Sequence, residues 1–118
     1  MTMAANIAVA LVALLHVCFL ILEMFLWDKP FGQRTFGLTR EFATASKALA
    51  ANQGLYNGFL AAGLVWGLGL GTAGTSIKVF FLACVVIAGI VGAATANRRI
   101  LWVQALPGVV ALVLVWLS

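Results

Sequence analysis

MAANIAVALVALLHVCFLILEMFLW, at residues 3–27, is an almost continuous apolar run. A helix needs about 20 such residues to cross the hydrocarbon core of a bilayer, so this run is long enough to span a membrane. The composition agrees, because 64% of the 118 residues are hydrophobic and only 8% are charged, whereas soluble domains carry about a quarter charged residues. The sequence therefore predicts an integral membrane protein, and we interpret the first run as a retained span rather than a cleaved signal.

Three further apolar runs follow, at residues 50–71, 75–96 and 100–117. Each is close to the length that a membrane-spanning helix requires. We therefore expect an all-α fold, namely an integral membrane four-helix bundle with spans at about residues 3–27, 50–71, 75–96 and 100–117. A chain of this length has room for one domain, which would comprise residues 1–118.

The connector between the first two spans opens with the Pro and Gly breakers of DKPFGQRTFGL and then becomes helical in pattern. Its apolar side chains recur at i, i+4, i+7 and i+11, namely at Leu38, Phe42, Ala45 and Leu49. Arg40 and Lys47 share a different face, and Thr39 is placed to cap the helix. This pattern predicts an amphipathic, cytoplasmic extension of the second span, or a helix lying at the membrane interface.

Basic residues are concentrated on one side of the predicted membrane. Six of the seven lie in the first and third connectors, namely Lys29, Arg34, Arg40, Lys47, Arg98 and Arg99. The positive-inside rule therefore places these connectors in the cytoplasm and both termini outside, in a multi-pass protein of the cell membrane. Trp27 and Trp102 would mark the inner interface, and Trp66 and Trp116 the outer one. Lys78, the exception, can extend its ammonium group to the outer interface.

A cluster of polar side chains opens the second span, in NQGLYN at residues 52–57. At 100° per residue, Asn52, Gln53, Tyr56 and Asn57 fall within about 140° of the helix surface and form one broad face. Polar groups in hydrocarbon are costly and turn toward the interior of a bundle. We therefore expect these four residues to bind a ligand in a polar pocket that opens to the cytoplasm.

The first span contributes two titratable side chains to the same half of the membrane. His16 and Glu23 differ by about 20° around the helix and by about 10 Å along it. His16 is the candidate acid–base catalyst, because its pKa can lie near neutrality. Glu23 would orient His16 or accept its proton through a water molecule. Gln104, one turn inside the fourth span and just before Pro107, would lie at the edge of the pocket as a further ligand-binding residue.

Each of these residues also has a structural interpretation. Glu23 can reach water or pair with Lys47, His16 can hydrogen-bond a neighbouring helix, and Tyr56 can belong to the aromatic belt at the interface. The sequence predicts no metal site, because it has a single His and no Cys-x-x-Cys or Glu-x-x-His spacing. It indicates no particular cofactor. Nucleic acid is not an expected partner despite the net charge of +4, because no basic face stands clear of the bilayer.

The sequence GLGLGTAG, at residues 67–74, contains the spacing GxGxxG of dinucleotide-binding loops. That fingerprint requires a preceding strand in a βαβ unit, whereas here it joins two predicted spans, so we interpret it as a hairpin turn. Small residues also recur every four positions, as at Gly63, Gly67 and Gly71, and such ridges let helix backbones pack closely. These ridges favour a homo-oligomer.

The His of the first span, the Glu and Trp at its end, the FG connector and NQGLYNGFLAAGL together resemble the small four-helix membrane family known as domain of unknown function 1304. The resemblance covers nearly the whole chain and implies the fold but no activity. ANQGLYNGFL is also similar, more faintly, to the second helix of the membrane-associated eicosanoid and glutathione metabolism proteins. Those are trimers with sites that face the cytoplasm between subunits. Their motif has an Arg one turn before the Asn, where this chain has Ala48.

Three functions are consistent with these patterns. The first is a pocket that binds a small amphipathic or lipid-soluble molecule, with its chemical transformation left open. The second is a proton-coupled small-molecule transporter that uses Glu23 as the titrating group. The third is an accessory subunit of a membrane complex, whose polar face docks a partner. In all three the lipid bilayer is the surrounding partner.

Overall fold

A computed structural model describes residues 2–118, and it is all-α, with no β-strand among those residues. Five α-helices follow one another along the chain: α1 (Thr2–Met24), α2 (Pro30–Phe36), α3 (Arg40–Gly69), α4 (Thr75–Thr95) and α5 (Leu106–Leu117). A 3₁₀ turn at Gly71–Gly74 precedes α4, and a π-helical turn at Leu101–Ala105 leads into α5. The predicted all-α class is confirmed.

Two helical segments are long and apolar enough to cross a membrane, namely Thr2–Met24 and Gly71–Thr95. The segment Leu101–Leu117 is apolar but shorter. The predicted second span lies inside the 30-residue helix α3, which also contains the predicted extension in one continuous helix. Thr39 caps this helix as expected, because its hydroxyl oxygen accepts a hydrogen bond from the Phe42 N–H at 3.1 Å.

Helix α2 was not predicted from the sequence, where the Pro and Gly residues of DKPFGQRTFGL were interpreted as helix breakers. Pro30 stands in its first turn, where a missing N–H costs nothing, and Gly37 ends it in the left-handed conformation with φ 64°. The same two residues that interrupt a helix when placed inside it therefore begin and end this one.

The described residues form two compact units, and the first comprises residues 60–118 together with the chain up to Leu14. Its core contains side chains from α1, α3, α4 and α5, namely Ala5, Val9, Val12, Ala13, Leu64, Leu82, Val85, Ala111 and Val115. Gly67 lets the stem of Lys78 pack closely, because a Cβ there would lie 2.6 Å from Lys78 Cγ. Lys78 is accordingly buried, with 6% of its surface exposed.

The second unit comprises Leu15–Phe59, which includes the end of α1, all of α2 and the first two-thirds of α3. The Trp27 indole N–H donates to the Ser46 hydroxyl oxygen at 3.0 Å, and the Trp27 ring packs on Phe36 at a centroid distance of 5.0 Å. A Cβ at Gly32 would collide with the Leu26 carbonyl oxygen, so only glycine allows α2 to approach that turn. These contacts fold the connector against α3.

Candidate functional site

Helices α1 and α3 approach closely at Gly54. A Cβ built on Gly54 would lie 2.7 Å from Met24 Cγ, 3.1 Å from Glu23 Cβ and 3.2 Å from the Leu20 carbonyl oxygen. The last turn of α1 therefore lies level with this turn of α3, because only a hydrogen atom at Gly54 leaves room for it.

The polar pair Glu23–Asn57 lies one turn further along α3. The Asn57 amide Nδ2 donates to Glu23 Oε1 at 2.5 Å. Asn57 is only 5% exposed and Glu23 is half-buried. The structure therefore brings together two of the predicted site residues, one from each helix.

His16 is fully buried on α1, and its ring meets the Phe19 ring edge-on at a centroid distance of 5.3 Å. Seven residues separate it from Glu23, which corresponds to about 10 Å along the helix. The role of His16 as an acid–base catalyst stays a prediction.

Asn52, Gln53 and Tyr56 differ from Asn57 in that they lie on the exposed surface of α3. Tyr56 is 51% exposed, and its ring lies 6.1 Å from that of Phe59. The polar face is therefore divided, with Asn57 turned toward α1 and the other three residues turned away from it. The physical reason is the breadth of the predicted arc of about 140°, whose two edges cannot both face one neighbouring helix. Their role in ligand binding stays a prediction.

Gln104 lies in the first unit and is buried there. Its amide nitrogen, Nε2, donates a hydrogen bond to the Val85 carbonyl oxygen at 3.0 Å. It projects from the π-helical turn, which ends ahead of Pro107, a residue that has no N–H to donate. Ala105 of the same turn packs on Gly89, where a Cβ would lie 2.9 Å from the Ala105 nitrogen. The structure thus gives Gln104 a contact between α4 and the π-helical turn.

The connector contains one ion pair that the sequence did not predict. Lys47 Nζ lies 3.0 Å from Asp28 Oδ2, so Lys47 pairs with Asp28 rather than with Glu23. The hydrogen bond from the Lys47 ammonium lowers the pKa of Asp28 below its usual value. Gln33 Nε2 also donates to the Asp28 carbonyl oxygen at 3.0 Å. The sequence offered one sign of this pair, since Asp28 begins the connector that leads the chain back to α3.

The sequence analysis did not consider Asn6, a polar residue of the predicted first span that is exposed near the start of α1. Within residues 2–118, the structure has no group of three or more His, Cys, Asp or Glu side chains arranged to hold a metal ion.

The fold and the site define a small helical protein with two helices of membrane-spanning character and a polar pair at the end of the first. The chain belongs to the family described as "Protein of unknown function (DUF1304)", whose sequence model matches residues 10–116. It is 29% identical over 115 residues to the uncharacterized protein YpaA of Lactococcus lactis subsp. lactis (strain IL1403), a match that covers 96% of this chain and 97% of that protein. No solved structure matches the chain. The resemblance to DUF1304 is confirmed, and the fainter likeness stays a prediction.

Proposed function

We propose that this protein crosses the cell membrane four times, with both termini outside, and binds a small amphipathic or lipid-soluble molecule at its cytoplasmic end. The length and hydropathy of Thr2–Met24 and Gly71–Thr95 support two of the spans. Leu101–Leu117 and the part of α3 from Ala50 onward would form the other two. The six basic residues of the first and third connectors support the orientation.

The observation that carries the binding proposal is the hydrogen bond between Asn57 and Glu23, which joins a carboxylate to an amide in the last turn of a span. Asn57 uses one of its donors on Glu23 Oε1, so the second carboxylate oxygen and the Asn57 carbonyl oxygen remain acceptors toward a ligand. Two acceptors favour a ligand whose polar group is a donor, namely an amine, an ammonium or a hydroxyl. An apolar tail on that ligand would be compatible with the hydrocarbon around the spans.

We propose binding rather than a reaction at this site. His16 and Glu23 are separated by about 10 Å along α1, which is too far for one group to take a proton directly from the other. Glu23 and Asn57 are sufficient to hold a donor group by hydrogen bonds, and neither role requires His16 to change its protonation.

The test uses the full chain in lipid nanodiscs, titrated with dodecylamine and, as a control for the apolar tail, with dodecanoate. Native mass spectrometry counts the bound amphiphile per chain. We expect saturable binding of dodecylamine but not of dodecanoate, and a loss of affinity of at least about tenfold in Glu23→Gln, since the bond to a charged acceptor is replaced by a neutral one. Glu41→Gln is the matched control, because Glu41 is an exposed carboxylate in the first turn of the same α3.

Two results would contradict the proposal. One is the absence of saturable dodecylamine binding by the unchanged chain. The other is an equal loss of affinity in Glu23→Gln and Glu41→Gln, which would mean that the amine responds to the overall charge of the protein rather than to the pair.

A further inference from the structure

The short helix α2 has two sides that differ in exposure. At 100° per residue, its exposed residues all fall within an arc of about 140°, namely Pro30, Phe31, Arg34 and Thr35. The remaining residues fall on the opposite side, where Gly32 is buried and Gln33 and Phe36 are half-buried. We call the exposed arc the outer side of α2, and it includes every exposed residue of the helix.

The inner side holds α2 against the turn that follows α1. Gly32 lies directly on the Leu26 carbonyl, and Gln33 Nε2 donates to the Asp28 carbonyl oxygen at 3.0 Å. Leu26 follows closely on Met24, the last residue of α1, and two residues of chain span at most about 7 Å. The headgroup layer on one side of a bilayer is about 5–8 Å thick. In the proposed membrane arrangement, these contacts therefore hold α2 at the depth of the headgroups.

The outer side carries positive charge. Lys29 directly precedes α2 and is exposed, so it adds a second cation to that of Arg34. The adjacent carboxylate, that of Asp28, is paired with Lys47. Among residues 2–118, neither Lys29 nor Arg34 forms an ion pair. Two cations at headgroup depth therefore remain for an anionic partner from outside the chain.

Phe31 adds an exposed aromatic ring to the same side, and 56% of its surface is exposed. The hydroxyl of Thr35 is turned back to the helix, because it donates to the Phe31 carbonyl oxygen at 2.7 Å. An aromatic ring beside basic residues is typical of helices that lie in a membrane interface, where the ring reaches the acyl boundary and the cations meet phosphates. The depth, the charge and the ring all fit the same partner.

We propose that the outer side of α2 binds the anionic headgroups of phospholipids. Lys29 and Arg34 would contact the phosphates, and the Phe31 ring would lie among the upper acyl groups. This inference rests on the proposed membrane arrangement but not on the binding of an amphiphile at Glu23.

The first test measures lipid selectivity on the full chain, released by native mass spectrometry from nanodiscs of mixed phosphatidylglycerol and phosphatidylcholine. Arg34→Gln should lower the ratio of retained phosphatidylglycerol to phosphatidylcholine about fivefold, which is the contribution of one basic residue at an anionic membrane surface. The matched control is Arg40→Gln, which removes the same charge from the same connector. Arg40 is exposed and begins α3, about 25 Å along that helix from Asn57, so its loss should leave the ratio unchanged.

A second measurement locates residue 31 directly. After Cys18 and Cys84, which are both free, are replaced by Ser, a bimane label is attached to Phe31→Cys or to Phe42→Cys. Both phenylalanines are 56% exposed, but Phe42 lies about 22 Å along α3 from Asn57. We expect a nitroxide on the upper acyl chain of the lipid to quench the label at residue 31 and not at residue 42, and aqueous iodide to do the reverse.

Three results would overturn the proposal. One is an equal loss of phosphatidylglycerol in Arg34→Gln and Arg40→Gln, because selectivity would then follow total charge. Another is a label at residue 31 that iodide quenches and the lipid nitroxide does not, which would place α2 in water. The third is a label that neither reagent quenches, because a protein would then cover this side. Both leaflets of a nanodisc have one composition, and dodecylamine is measured separately, so an error in the proposed orientation or in amphiphile binding leaves this test intact.

Discussion

Two substitutions of the same kind, Gly89→Ala and Gly58→Ala, should have opposite effects on stability. A Cβ at Gly89 would lie 2.9 Å from the Ala105 nitrogen, 3.0 Å from its Cα and 3.0 Å from its Cβ. None of these atoms can rotate away, so α4 and the π-helical turn would have to separate. A Cβ at Gly58 would meet Leu20 Cδ1 at 2.7 Å and its Cγ at 4.0 Å, and a terminal methyl can move by a change of rotamer.

The magnitudes follow from two opposing terms. Alanine gains about 1 kcal/mol over glycine inside a helix, while forcing a methyl into a closely packed contact costs about 1–3 kcal/mol. Gly89→Ala should therefore lose about 1 kcal/mol, and Gly58→Ala should gain up to about 1 kcal/mol, because most of its steric cost is relieved. A difference of about 2 kcal/mol corresponds to a separation of about 8 °C in Tm for a chain of this size.

The assay is thermal unfolding of both variants in one detergent, followed by far-ultraviolet circular dichroism. The unchanged chain should melt between the two variants. If the Tm of Gly89→Ala equals or exceeds that of Gly58→Ala, the π-helical turn does not lie as close to α4 as described, because the gain in helix propensity is common to both substitutions.

Three further predictions follow from the connector and its orientation. Trp27→Phe should lower stability by about 1 kcal/mol through the loss of one hydrogen bond, and combining it with Ser46→Ala should add little, as a thermal double-mutant cycle would measure. Lys47→Met should raise the pKa of Asp28 toward its usual value in a carbon-13 titration. Because the pKa of Asp28 is lower in the folded than in the unfolded chain, this pair stabilises the fold above the unfolded pKa, and that stabilisation is lost as the pH falls through the folded pKa. The Lys47→Met variant should therefore lose less stability on acidification than the unchanged chain. An identical loss of stability in both would contradict this prediction. A C-terminal alkaline phosphatase fusion should be active, and a C-terminal fusion reporting a cytoplasmic position would contradict the orientation.

Helices α1 and α4 follow closely from the sequence because a long apolar run leaves a chain few alternatives to a helix. The start of α3 was predicted as well, since Thr39 supplies a side-chain oxygen where the first N–H groups need an acceptor. Helix α2 was not predicted because Pro30 and Gly37 are ambiguous. Each of them interrupts a helix when it lies in the interior and can begin or end a helix when it lies at a terminus. The outcome depends on whether the segment between them can pack on the rest of the protein, and here Phe36 packs on Trp27.

The pairing of Glu23 with Asn57 was predictable in part, because helical spacing and topology put both residues at one depth. The separation of Asn57 from Tyr56 was not, since an arc of about 140° does not say which edge meets the neighbouring helix. The discriminating signal was Gly54, which belongs to the same helix face as Asn57. A residue without a side chain marks the point where two backbones approach, and the polar group nearest that point is the one that faces the partner helix.

The contrast between Gln104 and Glu23 is the reason that we propose a ligand site at the Glu23–Asn57 pair and not at the Gln104 amide. Both are polar side chains in apolar helices, and the cost of burying such groups requires each to have a partner. Gln104 donates to the Val85 carbonyl oxygen and is buried there, so its partner is the backbone of the adjacent helix. Among residues 2–118, the Glu23 carboxylate accepts a hydrogen bond from the Asn57 amide on one oxygen and is half-buried, so its second oxygen is left for water or for a donor brought from outside. A polar residue in an apolar helix is therefore a candidate for ligand binding only where its hydrogen-bonding capacity exceeds what the neighbouring helices supply, and the proposal places the ligand at Glu23 because Glu23 meets that condition.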